Sequence, residues 1–170
     1  MVHEERDVGA DRQRHGFRVP AAGNTGETVQ LRFDGQVKFS LEDVRESLKG
    51  LHVAAVDDDE IIRELVKHTF GGFDIKLSLF SNGAEFISAL GSNYFDLVLL
   101  DVLMPRADGF AVLQELKNRF ITVPVIILSS VSQRDTMIRA FQMGAKSYLV
   151  KPLKPADIFK KVLEIIRVNF

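Results

Sequence analysis

The feature that most constrains the fold is a regular alternation of short apolar runs and helix-patterned segments from Leu51 onward. The apolar runs have the length of strands, and the segments between them show the apolar spacing of amphipathic helices. Within the first helix, Ile61, Leu65 and Val66 are predicted to face inward. The predicted strands cover 51–56, 75–80, 95–100, 125–129 and 147–150, and the predicted helices cover 60–70, 82–90, 110–119, 132–143 and 156–168.

This alternation predicts an α/β fold with a doubly wound, five-stranded parallel sheet. The runs Leu97–Leu100 and Val125–Leu128 contain no polar residue, which is typical of strands covered by helices on both faces. Open sheets of this kind bind ligands beyond the carboxyl ends of their strands. The residues that directly follow each strand are therefore the candidates for a functional site.

Composition excludes several classes of protein. The 170 residues include 22 Lys+Arg, 23 Asp+Glu and no Cys, and the formal charge is −1. The absence of Cys excludes disulfide scaffolds and thiolate chemistry, and the near-neutral charge gives no bulk attraction to nucleic acid or anionic membranes. No apolar run approaches the roughly 20 residues of a membrane span, and the charged N-terminus does not resemble a secretory signal. We expect a cytoplasmic protein that does not bind nucleic acid directly.

The composition changes near Gly50, and we predict a main domain over residues 51–170. Residues 1–27 are predicted to be a disordered tail because they lack apolar periodicity. Residues 28–50 are predicted to form an extension that consists of a hairpin and a short helix. Because a lone hairpin is only marginally stable in water, we expect this extension to dock on the main domain or on a second protomer.

Two patterns define the predicted extension. A three-residue turn over 34–36 would oppose Phe33 with Val37 and bring the apolar side chains of both strands to one face. After Ser40, which resembles a helix N-cap, the following apolar residues fall on one helical face: Leu41, Val44 and Leu48.

Polar and charged side chains follow four of the five predicted strands. They are Asp57, Asp58 and Asp59 after the first strand, Asp101 after the third, Ser129 after the fourth and Lys151 after the fifth. If the first and third strands are neighbours, at least three carboxylates converge, and their mutual repulsion favours a hard divalent cation such as Mg²⁺. A carboxylate in such a place can also act as a nucleophile toward phosphorus, with the metal, the ammonium and the hydroxyl stabilising the transferred group.

Each of these residues also has an ordinary interpretation. The acidic triplet could cap the following helix, Asp101 could form a turn, Ser129 could be inert and Lys151 could be a solvated lysine. We favour a functional site because all of them fall on the same edge of one predicted sheet.

The sequence around these positions resembles the response-regulator receiver domain of two-component signalling. The matching stretches are Val53–Glu60, Leu97–Gly109, Pro124–Ser130 and Gly144–Pro152. The resemblance covers about residues 51–170 and leaves the first 50 residues unmatched. It implies the flavodoxin-like receiver fold, with strand order 2-1-3-4-5.

The resemblance also implies a chemical role for the acidic residues. Asp101 would be the phosphoacceptor. Asp57 and Asp58 would bind Mg²⁺ together with Asp101 and the backbone carbonyl of Leu103. The chain would be no enzyme beyond Mg²⁺-dependent self-phosphorylation and autodephosphorylation.

The remaining motif residues would form a switch. The resemblance implies that the Ser129 hydroxyl moves toward the phosphoryl group, that Lys151 pairs with this group, and that the Tyr148 rotamer follows Ser129. The Lys151-Pro152 bond resembles the cis peptide of the family, at an X-Pro position where the cis form costs little.

By this resemblance, a sensor histidine kinase or a phosphotransfer protein would donate the phosphoryl group. A downstream protein partner would bind the face formed by the fourth helix, fifth strand and fifth helix of the receiver. We expect the output to come from this face, from the N-terminal extension or from a partner, because no output domain follows Phe170. Dimerisation is left open.

Three other functions are compatible with a fold of this class. A phosphohydrolase with an Asp nucleophile would need a second Asp at the position of Leu103, and a flavodoxin-like cofactor module would not place the carboxylates of Asp57–Glu60 against a phosphate. The third is a receiver-like module that binds a protein without phosphorylation, and it stays open on the sequence alone.

Overall fold

A computed structural model of the chain describes residues 30–33, 37–105 and 109–168, with side chains over 41–105 and 109–166. The predicted tail over 1–27 and the predicted turn over 34–36 lie outside the described residues. The elements are β1 (Gln30–Phe33), β2 (Val37–Ser40), α1 (Leu41–Leu48), β3 (His52–Val56), α2 (Glu60–Phe70), β4 (Lys76–Phe80), α3 (Gly83–Ala89), β5 (Leu97–Asp101), α4 (Gly109–Asn118), β6 (Val125–Ser129), α5 (Arg134–Gln142), β7 (Ser147–Val150) and α6 (Pro155–Val168).

The main sheet has five parallel strands in the order β4-β3-β5-β6-β7. Counted from β3, this is the order 2-1-3-4-5, which confirms the predicted fold class. The boundaries of its strands and of the helices between them lie within two residues of the predicted ones. None of the helices in the described part of the chain is long and apolar enough to cross a membrane.

Two hydrophobic cores lie on opposite faces of this sheet, because successive side chains of a strand point to opposite sides. In β5, Leu97 and Leu99 belong to the core under α2 and α6, whereas Val98 and Leu100 belong to the core under α3 and α4. Every residue of β5 and β6 is buried. The apolar character of these strands therefore follows from coverage on both faces.

The prediction for the inward face of α2 is wrong at Ile61, which is 75% exposed. Val66 and Phe70 define the buried face of this helix. Because residues four apart share a helical face, the residue that continues this face toward the N-terminus is Ile62, which packs against the core. Ile61 is rotated away from the sheet and faces solvent.

The N-terminal extension contains the predicted hairpin and helix. In the hairpin, Phe33 pairs with Val37, which confirms the predicted register. In α1, Val44 and Leu48 are fully buried and belong to the same core as Phe159 and Val162 of α6. The helix α1 is therefore packed on the main domain and contributes to one of its two cores.

The chain between α1 and β3 is fixed by backbone contacts at the amino-terminal edge of the sheet. Gly50 has a φ of 73°, a left-handed conformation that favours glycine after a helix. Its N–H donates to the carbonyl of Asp74 at 2.7 Å, just before β4. These contacts connect the end of α1 to the start of the sheet without a flexible linker.

Leu48→Ala tests whether α1 is an integral part of the fold. Truncation of a fully buried leucine is expected to lower the free energy of unfolding by about 2–5 kcal/mol. The exposed neighbour Glu46→Ala, on the same helix, is the matched control and should change it by less than about 0.5 kcal/mol. Urea denaturation followed by circular dichroism measures both, and equal small effects would contradict the packing of α1 on the domain.

Candidate functional site

The register of the sheet places Asp57 beside Asp101. Val56 of β3 pairs with Leu100 of β5, so the next residue of each chain segment is an aspartate at the carboxyl edge of the sheet. Both aspartates are buried, with 1% and 4% of their surface exposed. Neighbouring strands are about 4.8 Å apart, and the two carboxylates are therefore forced into one small volume.

Lys151 binds both carboxylates. Its Nζ lies 2.8 Å from Oδ2 of Asp57 and 2.8 Å from Oδ2 of Asp101. The lysine follows β7 and is held by its own N–H, which donates to the Ser129 carbonyl at 2.8 Å. The Lys151-Pro152 bond is cis. One ammonium thus bridges residues that are 94 and 50 positions away in the sequence.

Burial and hydrogen bonding oppose each other at this site. Burial raises the pKa of the Asp57 carboxyl, and hydrogen bonds from Lys151 and from the Asp59 N–H offset only part of this rise. Burial by itself lowers the pKa of Lys151, but hydrogen bonds to Asp101 and Asp57 outweigh it, and the pKa of Lys151 is raised overall. The ammonium is therefore firmly protonated, whereas the ionised form of Asp57 is held at an energetic cost.

The acidic triplet after β3 divides into two roles. Asp59 is the N-cap of α2, and its Oδ1 accepts the N–H of Ile61 at 2.9 Å. Asp57 and Asp58 instead bring carboxylate oxygens within 4.8 Å of one another and of Asp101. The helix-cap interpretation thus describes Asp59, and the metal-site interpretation is compatible with the other two.

The donor set fits a hard divalent cation. Three carboxylates, from Asp57, Asp58 and Asp101, stand against one ammonium, that of Lys151, which leaves an excess of two negative charges. Mg²⁺ prefers oxygen ligands and is usually bound by one or two carboxylates plus waters. Among the described residues, these three aspartates are the group of acidic or histidine side chains that could hold a metal ion. Asp58 is exposed, so solvent can reach the group.

Val131 connects two of the predicted switch residues. Its N–H donates to Oγ of Ser129 at 3.1 Å, and its carbonyl accepts the hydroxyl of Tyr148 at 2.6 Å. Ser129 is fully buried at the end of β6, one residue beyond the partner of Asp101 in the sheet. Tyr148 is half-buried and is linked to Ser129 through Val131. Neither the sequence spacing nor the hydrophobic pattern indicates that the backbone of Val131 links Ser129 to Tyr148.

The backbone around Asp101 is tightly constrained. The N–H of Leu103 donates to Oδ1 of Asp101 at 2.8 Å, which fixes one side of the carboxylate. A Cβ on Gly109 would collide with the carbonyl oxygen of Asp101 and would lie 2.7 Å from Cα of Val102. Gly109 is therefore required for the close approach of α4 to this segment, a role that only the packing reveals. Residues 106–108, which belong to the matching stretch Leu97–Gly109, lie outside the described residues.

The structure thus brings the predicted residues Asp57, Asp58, Asp101 and Lys151 together at one point. Ser129 lies on the next strand of the sheet, and Tyr148 approaches it from β7. Leu103 lies two residues beyond Asp101, and its N–H donates to the Asp101 carboxylate. That its backbone carbonyl binds Mg²⁺ remains a prediction. The roles of these residues in phosphorylation and switching also remain predictions.

The sequence matches known proteins over the same region. Residues 53–163 match the family model described as the response regulator receiver domain. The DNA-binding transcriptional regulator NtrC of Escherichia coli is 41% identical over 100 residues, which are 59% of this chain and 21% of that protein. The chain spans between about a fifth and about half of the length of the curated relatives it matches.

Solved structures with the same fold match this chain over nearly all of their own length. The receiver domain of the Francisella response regulator 1452 has a TM-score of 0.66 and 27% identity, and the match covers 71% of this chain and 100% of that one. A chain in the CheX-CheY-BeF3-Mg+2 complex from Borrelia burgdorferi has a TM-score of 0.64 and 26% identity, covering 69% of this chain and 90% of that one.

Asp57→Asn tests the cost of the buried charge. A carboxyl whose pKa is raised by folding stabilises the fold below its unfolded pKa and loses that contribution as the pH rises through its folded pKa. At pH 7 without metal, the neutral amide is therefore expected to increase the free energy of unfolding. The gain should vanish below the ordinary carboxyl value of 3.8.

Urea denaturation in EDTA over a pH series measures this difference. The exposed Asp135→Asn is the matched control and should leave stability nearly unchanged at every pH. A loss of stability in Asp57→Asn at pH 7 would mean that the Lys151 contact outweighs burial.

Proposed function

Because the chain belongs to the response regulator receiver domain family, we propose that it accepts a phosphoryl group on Asp101 and thereby changes its affinity for a protein partner. The observation that supports this best is the Lys151 ammonium, 2.8 Å from the carboxylates of both Asp57 and Asp101 within a cluster of three aspartates. A buried nucleophile, a metal-binding pair and a cation for the transferred group are thus assembled at one edge.

The donor in this proposal is a histidine kinase or a phosphotransfer protein that carries phosphohistidine. A carboxylate oxygen of Asp101 forms a bond to phosphorus as the P–N bond breaks, and the electron pair of that bond stays on the imidazole nitrogen, which then takes up a proton. The transfer needs positioning and charge neutralisation more than covalent help. Leu103, through its N–H, orients the nucleophile, and Lys151 supplies positive charge beside it.

The aspartates Asp57, Asp58 and Asp101 would hold Mg²⁺, with the carbonyl of Leu103 as a further ligand. When bound, the ion neutralises the carboxylates and the incoming phosphoryl oxygens. The chemistry of the donor set supports this assignment, and a chain with the same fold occurs in the CheX-CheY-BeF3-Mg+2 complex from Borrelia burgdorferi. We do not assign an enzymatic output to the chain beyond its own phosphorylation and dephosphorylation.

The response in this proposal proceeds through Val131. A phosphoryl group on Asp101 would attract the Ser129 hydroxyl, which at present accepts the Val131 N–H. Releasing that N–H would loosen the segment whose carbonyl holds the Tyr148 hydroxyl. A local change in hydrogen bonding would thus reach α5, which begins three residues after Val131.

The output surface is proposed to be the face formed by α5, β7 and α6. Large apolar side chains are exposed there on α5 and β7: Ile138 at 41%, Phe141 at 46% and Val150 at 42%. Apolar side chains exposed next to the switch residues suit a protein partner whose affinity follows phosphorylation. The proposal does not include DNA binding, although NtrC is a DNA-binding regulator, because the residues matched here make up only 21% of that protein.

Incubation with Mg²⁺ and acetyl phosphate tests phosphorylation directly. Intact-mass spectrometry is expected to show the addition of one phosphoryl group, which disappears in Asp101→Asn and on chelation of Mg²⁺. The exposed Asp135→Asn is the matched control and should be phosphorylated like the wild type. If the full chain remains unmodified by both acetyl phosphate and a phosphorylated histidine donor, the non-phosphorylated binding module is the better description.

Lys151→Ala tests the coupling between modification and response. The variant is expected to be phosphorylated, but the amide chemical shifts of Val131 and Tyr148 should change by less than half as much as in the wild type. Lys154→Ala, an exposed lysine three residues further along the chain, is the matched control and should respond fully. Full-sized shifts, or unchanged partner binding after phosphorylation of Lys151→Ala, would contradict the proposed role of this ammonium.

A further inference from the structure

Two cavities lie at the edge of the sheet opposite to the acidic site. Their volumes are about 410 and 460 Å³, and both are lined by Phe120, Ile121, Thr122 and Val123, which connect α4 to β6. The first is bounded by the ends of α4 and α5, and the second by the segment between α3 and β5. Pockets of several hundred Å³ are large enough to hold side chains of a partner.

Phe120 separates the two cavities in an unusual conformation. Its φ is 56°, in the left-handed region, and it directly follows the last turn of α4. The N–H of Ile121 donates to the Leu116 carbonyl at 2.9 Å, which is the helix-ending motif that normally carries glycine. A bulky side chain is strained in this region. Phe120 nevertheless occupies it and is 91% exposed.

The side chain of Phe120 contributes little to the packing of its own domain. A side chain that is 91% exposed buries almost no apolar surface in its own domain. Tyr94, which lines the second cavity, is 96% exposed. Exposed aromatic residues beside an apolar cavity are typical of the centre of protein interfaces. This arrangement indicates a contact with another molecule.

The charges around the first cavity define the chemistry of that molecule. The charged side chains in its lining are two exposed lysines, Lys117 and Lys146, and the lining contains no carboxylate. Over the described residues, neither lysine forms an ion pair. The body of the cavity is apolar, with Leu113, Leu116 and Met143 in its lining. An apolar side chain flanked by carboxylates complements both properties.

We propose that the first cavity, with Phe120 at its margin, is a docking groove for a peptide segment of another protein that carries an apolar anchor flanked by acidic residues. The anchor enters between the ends of α4 and α5. The flanking carboxylates pair with Lys117 and Lys146, and Phe120 covers the anchor. The lining of the second cavity contains no lysine or arginine. Its charged side chain is Asp96, which accepts the N–H of His52 at 2.7 Å.

This groove is independent of the phosphorylation proposed above. Val125 lines the groove and Ser129 lies at the acidic edge, at opposite ends of the five-residue strand β6. At about 3.3 Å per residue, the two ends are about 13 Å apart. A peptide in the groove therefore leaves Asp101 accessible, and its binding does not require modification of that residue.

The experiment is a selection of random twelve-residue peptides by mRNA display against the full chain, followed by fluorescence anisotropy with the enriched peptides. We expect these peptides to carry an aromatic or aliphatic residue among carboxylates, and to shift the amide resonances of 116–125 and 142–146. The double variant Lys117→Glu, Lys146→Glu should weaken their binding at least tenfold. Enriched peptides that are basic, or that shift only other amides, would overturn the proposal.

Two further variants separate binding from folding. Phe120→Gly is expected to weaken peptide binding at least tenfold without lowering the melting temperature, since glycine suits the left-handed conformation. Lys49→Glu with Lys67→Glu, the first directly after α1 and the second on α2, makes the same change in net charge away from the groove and should bind as the wild type does. If both double variants weaken peptide binding equally, the effect comes from the net charge of the chain, and the assignment to the groove would be overturned.

Two other occupants of the groove are tested on the full chain. If amide resonances of 116–125 move when Glu4, Glu5, Asp7 and Asp11 are changed together to serine, the groove holds the chain's own N-terminal segment. If sedimentation equilibrium shows a dimer that Phe120→Gly dissociates, the groove holds a second copy. Either result would overturn the assignment to a separate protein.

Discussion

The contact of one lysine with two buried aspartates is the interaction on which the site depends. Lys151 holds Asp57 and Asp101 at 2.8 Å each, and both aspartates are almost fully buried. Buried carboxylates repel each other and lose hydration, and a single ammonium compensates only part of that cost. The pKa of Asp57 is raised because burial outweighs the hydrogen bonds that this carboxylate accepts. A site in this condition favours the binding of a further cation.

The rest of the main domain can be understood as the means of holding these charges together. The pairing of β3 with β5 sets the two aspartates side by side, and Lys151 directly follows β7 at the same edge of the sheet. Two hydrophobic cores, one on each face, immobilise the sheet that carries them. Gly109 allows α4 to approach the backbone of Asp101 at a distance that no other residue permits. The stability of the cores thus supports an edge that is electrostatically unfavourable.

The two edges of the sheet differ in their chemistry. The carboxyl edge carries an acidic cluster with one compensating lysine, whereas the opposite edge carries exposed aromatic residues and two lysines without ion-pair partners over the described residues. The extension helix α1 packs near this second edge on the face of α6. A molecule bound at one end of these strands would leave the other end accessible.

The sequence by itself determined the fold class, the register of the hairpin and the residues at the strand ends. It did so because period-2 and period-3.6 patterns record burial, and because the ends of parallel strands meet at one edge. The strand-end pattern by itself did not distinguish Asp59, which caps α2, from Asp57 and Asp58, and only the family resemblance assigned the metal site to those two. The sequence also assigned Ile61 to the core, because Ile61 and Ile62 are chemically identical and only the packing selects between them.

Other features were decided only by the tertiary structure. The link from Ser129 through Val131 to Tyr148 joins side-chain and backbone atoms of two different strand ends. The left-handed conformation of Phe120 contradicts the preference of its residue type. Local preferences are properties of short segments, whereas these contacts depend on where several segments meet. The residues of this protein could therefore be assigned to an edge of the sheet from sequence, but their partners could be identified only after the sheet was assembled.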